Sequence, residues 1–470
     1  MIAAVAAGHP ATADAGAEIL ADGGSAADAA VAATLASCVA ETVMTGLLGG
    51  GHAIWFDAVT GRATNLDFFV AVPSGERAAM DELQVPFGEE LVHYAIGASS
   101  CAVPGVPAGL DALWRAHGRL PWPRLVEPAL ALARAGVAMP PAHASCLAML
   151  APVMTMREGG AMYAPNGSLL AAGDRLDQPG LVRALELVRD EGARSAYDGT
   201  IAQELLALVH ARGGGVTRAD LAAYEAVWHE PAHVPFAARD VWTRGGLSGV
   251  PETLARLDPA GGDDALLASL EGDDAPGDTT NLTVVDADGN ACVVTTSLGL
   301  GSGDWLPGLD LHLNSMLGET DLVVAPLAPG ERMASMMAPT VVTARDGLEL
   351  ALGAAGGTRL RTALVGVLAR VLHDGVEPQA AIDRPRFHPA GDVVNAEPGV
   401  DERWLARLEA RGRTVRRWPA LHHYFGGVSA VGRGAAGADP RRSGASRLVP
   451  AGSSRGSSRR IRSEDSRDSG

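Results

Sequence analysis

The residue in this chain best suited to covalent chemistry is Thr279, at the head of Asp278-Thr-Thr-Asn-Leu-Thr-Val-Val-Asp-Ala-Asp-Gly-Asn-Ala-Cys-Val-Val-Thr-Thr-Ser297. A threonine hydroxyl is a poor nucleophile on its own. If the Asp278–Thr279 peptide bond were cut, Thr279 would carry a free α-amine with an ordinary pKa of about 7.7–8.0, able to act as the base for its own Oγ. That is the N-terminal-threonine form of nucleophilic catalysis, with activation contained in one residue. The cut could use the same oxygen, attacking the carbonyl of Asp278. From position alone, a threonine chosen for its β propensity is the commoner case.

The elements that must hold Thr279 are legible nearby. Leu282 and Val284, then Ala291 and Val293, alternate along two strands, and Asp286-Ala-Asp-Gly-Asn290 between them supplies residues that tolerate a tight turn. Thr12 to Ala21 reads as a short helix stopped by Gly23-Gly24. Ser25 stands three residues before Asp28 as a capping box, opening an Ala-rich helix to Val39. Leu47-Leu-Gly-Gly-Gly-His52 leads into a strand, Ala53–Phe56. The triple glycine lacks the Gly-Lys-Thr/Ser ending of a phosphate loop and reads as tight backbone packing. Thr217-Arg-Ala-Asp220 caps a helix over Leu221–Tyr224; Leu348–Leu352 and Gly426–Gly432 read as strands, and Leu360–Leu372 as a helix after the Gly356-Gly357 turn. Leu247 to Gly277 reads as Leu-rich pieces separated by acidic, Gly-rich linker at Gly261–Asp264 and Glu271–Asp274. From Ser446 the Ser/Arg-rich composition predicts disorder.

The Asp278–Ala291 stretch, followed in order by Gly301-Ser-Gly303, Leu313-Asn-Ser-Met-Leu-Gly-Glu319, Ala338-Pro-Thr340 and Gly353-Ala-Ala-Gly-Gly-Thr-Arg359, resembles the small-subunit half of a gamma-glutamyltransferase (glutathione hydrolase). That family belongs to the N-terminal nucleophile hydrolases. The resemblance implies an α+β fold, a four-layer αββα sandwich, made as a precursor and cleaved at Asp278–Thr279. It implies a large-subunit-like part over 1–278 and a small-subunit-like part over 279–445, with 446–470 as tail. The two pieces would remain together as a heterodimer. It also implies transfer of a γ-glutamyl (acyl) group from a small-molecule amide to water or an amine through an acyl-threonine, with no cofactor and no metal.

Carried over residue by residue, Thr279 is the candidate nucleophile. Ser297 stands where the family has a threonine whose hydroxyl bonds the nucleophile. Gly356 and Gly357 resemble the paired oxyanion donors, which need only backbone amides. Glu319 matches an acidic residue for the substrate amine, and Ser335 the first of two serines near the substrate carboxylate. The departures fall on recognition: Met336 replaces the second serine, Met316 a glutamine, Gly299 lies near an expected asparagine, and Phe69 in Leu66-Asp-Phe-Phe-Val-Ala-Val-Pro73 replaces the arginine that grips the α-carboxylate. Two alternatives stay open: an acylase-like amide hydrolase with a more apolar acyl group, and an uncleaved, non-catalytic relative, the latter motivated by a shortened Leu247–Gly277 segment.

The 470 residues can bury a large core, and a formal charge of −17 from 38 basic and 55 acidic side chains argues against nucleic-acid partners. Cys38, Cys101, Cys146 and Cys292 are scattered and read as free buried thiols rather than a disulfide framework. No run is long and apolar enough for a membrane helix, and Met1–His9 lacks the basic and apolar regions of a signal peptide. These features predict a cytoplasmic protein, or an exported one if the start site is misplaced.

Overall fold

In the computed structural model, which describes residues 2–87, 90–271, 279–357 and 359–450, two antiparallel sheets lie face to face with helices on both outer surfaces. The first sheet is built from β1 (Ala3–Ala7), β2 (Gly50–Asp57), β3 (Arg62–Phe68), β4 (Val227–His229), β7 (Thr280–Val285), β8 (Ala291–Ser297) and β13 (Ala445–Val449). The second contains β5 (Ala232–Phe236), β6 (Arg239–Thr243), β9 (Thr340–Ala344), β10 (Gly347–Ala355), β11 (Gly427–Gly432) and β12 (Ala436–Ala438). Their spatial orders are β13-β1-β7-β8-β2-β3-β4 and β12-β11-β10-β9-β6-β5.

Period-2 alternation sorts the side chains of β7 between two cores. Leu282 and Val284 point outward into a cluster with Ile19, Val31 and Leu35 of helices α1 (Pro10–Ala21) and α2 (Ala26–Ala40) and with Leu125 of α3 (Trp122–Ala135). Val285 points inward, where Ile54, Phe56, Val293, Val341 and Val431 from both sheets form the inter-sheet core. Each of these buried side chains contributes about 1.5–3 kcal/mol. The fourth layer is α4 (Val250–Arg256), α5 (Gly262–Leu270) and α6 (Arg359–Leu372), packed on Val342, Leu350 and Leu352 of the second sheet. The four layers are therefore the αββα sandwich the motifs imply.

Local predictions hold where the chemistry is local. Ser25 caps α2 through a full capping box with Asp28, and Thr217 does the same with Asp220, although that helix runs Arg218–Ala223 rather than Leu221–Tyr224. Asp286 Oδ1 accepts the amides of Asp288 and Asn290, each at 3.0 Å, which closes the β7–β8 turn. The triple glycine is packing, since a Cβ on Gly49 would fall 2.1 Å from the Ser297 carbonyl and one on Gly50 2.6 Å from the Val70 amide. None of the four cysteines is in a disulfide, and all are buried.

Two expectations need correction, and one segment takes on a role not foreseen. Asp263 and Asp264 are not linker but the first turn of α5, where acidic side chains suit the positive helix end. Residues 446–449 are not disordered: they form most of β13, paired with β1 in the register Ala6↔Ser446 and Ala4↔Leu448. That pairing is tertiary, so the polar composition of the segment did not announce it. Ala3–Ala7, considered in the sequence only as a possible targeting segment, is a strand between β13 and β7. Residues 272–278 and 451–470, which carry the rest of the linker and tail readings, lie outside the described residues. No helix among the described residues is long and apolar enough to cross a membrane.

A buried ion cluster ties the C-terminal segment to this frame. Arg441 donates to both oxygens of Glu397 at 2.6 and 2.5 Å and to Asp439 at 3.1 Å, while Arg386 meets Asp439 at 2.6 Å. Asp439 also accepts the Val428 amide at 3.0 Å, at the start of β11. Burial pushes the Asp439 carboxyl up, but Arg386 and Arg441 outweigh it and hold the group below the usual range. Asp439→Ala is expected to cost about 3–5 kcal/mol in urea unfolding at pH 7, because the buried Arg386 loses its carboxylate partner and Arg441 one of its two. Since the folded pKa is depressed, this stabilisation is present above the ordinary carboxyl range of about 4 and is lost as pH falls through the lower folded value. The difference between wild type and variant should shrink there.

Candidate active site

Thr279 precedes β7 and is 7% exposed. Its Oγ1 accepts the backbone N–H of Gly356 at 2.8 Å, across the gap between the sheets. Thr280 pairs with Thr296, so the same register sets Thr279 opposite Ser297 at the end of β8. Ser297 Oγ accepts the Gly299 amide at 2.9 Å. Below Thr279 the next inward residue of β7 is also polar: Asn281 Oδ1 accepts the Thr295 hydroxyl at 2.7 Å, and its amide fills the space a Cβ on Gly353 would need. Thr283 donates to the Ser429 carbonyl at 2.9 Å, so this half of the sheet-to-sheet contact is hydrogen-bonded and the Val285 half is apolar.

Gly356 and Gly357 follow β10 with φ of 123° and 59°, a turn that sets the Gly356 amide on Thr279 Oγ1 and Gly357 in the lining of the site. Only glycine adopts the first of these freely. A Cβ on Gly356 would also meet Gly426 Cα at 2.8 Å.

In front of Thr279 opens a pocket of about 320 Å³ whose walls include Thr279, Ser297, Glu319, Ser335, Phe69 and Met336, with Gly357 at its rim. The structure thus brings together the sequence-predicted site residues, with Gly356 joined to them through its hydrogen bond to Thr279. Glu319 is buried, and its carboxylate occupies the space beside Gly299, where a Cβ would come within 2.2 Å of Oε1. Ser335 Oγ accepts the Met337 amide at 3.3 Å and its carbonyl accepts Arg244 Nη1 at 2.6 Å. Much of its lining is apolar: Phe69, Met316, Leu322, Met336 and Met337 pack in one cluster, and Leu360 joins them from the neighbouring core.

Two groups of charged residues next to the site escaped the sequence reading. Behind Phe69, Asp67 stands 3.5 Å from Arg332 and 3.8 Å from His52, and the His52 ring stacks on Phe69 at 5.7 Å. Burial, reinforced by Arg244 and Arg332, holds His52 neutral. Arg244 is itself drawn below its ordinary value by burial, with Asp67 opposing. The second group is Glu41, whose carboxylate accepts the hydroxyls of Thr12, at 2.6 Å, and Thr280. Burial pushes Glu41 above the usual carboxyl range, against the pull of those two hydroxyls and of Arg442. A signal existed for Glu41, the one acidic residue between Asp28 and Asp57. For the arginines, lone charges separated by long sequence distances, there was none.

A threonine just before a central strand of an αββα sandwich, its hydroxyl facing a backbone amide from the second sheet, agrees with the fold of the N-terminal nucleophile hydrolases. The sequence profile described as Gamma-glutamyltranspeptidase matches residues 12–258 and 259–449, and the chain belongs to that family. It is an enzyme of the gamma-glutamyltransferase and glutathione hydrolase type. It is 28% identical to the Acylase ACY 1 proenzyme of Pseudomonas sp. (strain V22), over 90% of this chain and 88% of that one. Against the glutathione hydrolase proenzyme of Escherichia coli (strain K12) the identity is 27%, over 88% and 85%. The cephalosporin acylase of Bacillus halodurans, 22% identical, shares the fold with a TM-score of 0.77 over 95% of each chain.

Proposed function

We propose that this protein is made as a precursor, cleaves itself between Asp278 and Thr279, and then transfers a γ-glutamyl group from a glutathione-like amide to water or an amine through an acyl-Thr279 intermediate. The observation that carries this is the 2.8 Å hydrogen bond from the Gly356 amide to Thr279 Oγ1, which sets the hydroxyl beside a donor suited to a tetrahedral oxyanion. In the reaction Thr279 Oγ attacks the amide carbonyl while its α-amine takes the proton. The Gly356 and Gly357 amides hold the oxyanion, and the proton passes to the departing amine. Water or a second amine then attacks the acyl-threonine. Ser297 orients the nucleophile from across β7 and β8, Glu319 meets the substrate amine, and Ser335 its carboxylate. Interleaving supports a lasting heterodimer, because β7 lies between β1 and β8 and strands from both sides of residue 279 occur in both sheets.

A second reading, favoured by the wall of Phe69, Met316, Leu322, Met336, Met337 and Leu360, keeps the mechanism and replaces the glutamyl group with a more apolar acyl chain. An unpaired carboxylate against that wall would be costly, whereas an aliphatic chain would gain about 0.8 kcal/mol per buried CH₂. Steady-state kinetics on a γ-glutamyl anilide and an aliphatic acyl anilide separate the two. Saturable turnover of the glutamyl compound at micromolar to millimolar KM is the expected result of the first; turnover of the aliphatic compound alone would overturn it in favour of the second. Against the third possibility, an uncleaved binding protein, stands the packing of α4 and α5 into the fourth layer.

A further inference from the structure

On the other side of Thr279 from the substrate pocket lies a second, more enclosed space of about 280 Å³, shared by Thr279 and Thr280 with Gly8, Glu41, His143 and Arg442. Glu41 caps the C-terminal end of α2 and is 1% exposed. Gly8 presses on it so closely that a Cβ there would lie 2.5 Å from Oε2. Its two oxygens accept the hydroxyls of Thr12 and Thr280, and Arg442, in the wall of the same space, attracts it without offsetting its burial. A carboxylate this deep is ordinarily matched by a closely paired cation. Cleavage before Thr279 would create a second positive group here, an α-ammonium on the residue next to Thr280 and in the wall of the same space.

We propose that Glu41 is a positioning residue that receives the α-amine of Thr279 once it is freed, holding its protonated form in this space and keeping the nitrogen directed toward its own Oγ. The inference deepens the reading of Thr279 as an N-terminal nucleophile and rests on it. The other titratable groups facing this space do not compete over the working range. Burial holds His143, from the helix Pro141–Met154, at about 3 and His9, at the start of α1, at about 4. Cys38, one turn back on α2, is pushed up by burial, and Asp439 is held ionised by its arginines. Arg442 supplies a fixed positive charge. Glu41, pushed up by burial, and the amine are therefore the two groups here whose charges answer to each other.

The sign follows from Coulomb attraction: a neighbouring carboxylate favours the ammonium and raises its pKa, so removing that charge lowers it. The acidic limb of kcat/KM, which reports the free enzyme's essential base, is expected to move about one pH unit lower in Glu41→Gln, while Glu41→Asp keeps it near the wild-type position. A merely structural role would lower the plateau in both variants and leave the limb in place, which would overturn the proposal. If neither variant is cleaved, the wild-type protein decides. The pH dependence of Thr279 α-amine acetylation by acetic anhydride should show a higher midpoint in the folded than in the urea-unfolded protein, and an equal or lower midpoint would overturn the proposal. Absence of any chain beginning at Thr279 in the wild type would instead overturn the underlying reading of the nucleophile, and this one with it.

Discussion

Thr279→Ala is expected to leave one chain running from residue 1 to 470 and to lower kcat/KM by about 10⁴-fold or more, roughly 5 kcal/mol of transition-state stabilisation. The change deletes the oxygen that would open the Asp278 carbonyl and the oxygen that would carry the acyl group, so precursor cleavage and turnover are lost together. The strand itself should survive. Thr280 to Val285 stay paired with β8 and Leu282 to Val285 with β1, and the direct casualty is the Gly356 amide, whose acceptor disappears at a cost of about 1–3 kcal/mol. Thr279→Ser, which keeps the hydroxyl and loses the methyl that restricts its rotamers, is expected to cleave more slowly yet reach the same two pieces. Gel analysis over time, with turnover of the pre-incubated protein, reads both effects. An alanine variant that turned over at the wild-type rate would remove the chemistry from this residue.

The second large effect is expected at Gly356. With φ of 123° and Gly426 Cα only 2.8 Å from where a Cβ would stand, Gly356→Ala must shift the turn after β10. The amides of Gly356 and Gly357 then leave the positions they need for a tetrahedral oxyanion. Loss of one such donor typically costs 10²–10³-fold in kcat. The split between parameters is informative, because the pocket walls at Phe69, Glu319, Ser335 and Met336 belong to other segments and should keep KM within a few-fold. A variant that changed KM tenfold with kcat intact would place the glycine pair in binding rather than in charge stabilisation. Cleavage is expected to slow in parallel, since it passes through an oxyanion at the same spot.

The sequence disclosed what depends on short-range chemistry or on motif order. Thr279, Ser297, Glu319, Ser335 and the glycine pair were named through the ordered motifs that resemble the family, and they converge on one pocket and the amide that bonds Thr279. The paired strands flanking Asp286–Asn290 and the capping box at Ser25 carried their own turn and cap residues. What stayed hidden depends on distant partners. β13 exists because β1 offers it a free edge, and nothing in Ala445-Ser-Arg-Leu-Val449 specifies that partner. The Asp67–Arg332 contact joins residues far apart in sequence, as does the Glu41–Thr280 contact. The Gly261–Asp264 run looked like linker because glycine and aspartate are common in loops, but aspartates also suit a helix start, and burial of Leu266, Leu267 and Leu270 decided the matter. The apolar substitutions Phe69 and Met336 were visible individually; their joining with Leu322, Met337 and Leu360 in the pocket lining was not.

Everything catalytic here requires a free α-amine on Thr279, so intact mass measurement with N-terminal sequencing of the purified protein tests it most directly. The expected result is two species held together under native conditions, one of them beginning Thr-Thr-Asn-Leu-Thr at residue 279. A single full-length chain with undiminished turnover, or an active protein whose new terminus lies elsewhere, would contradict it.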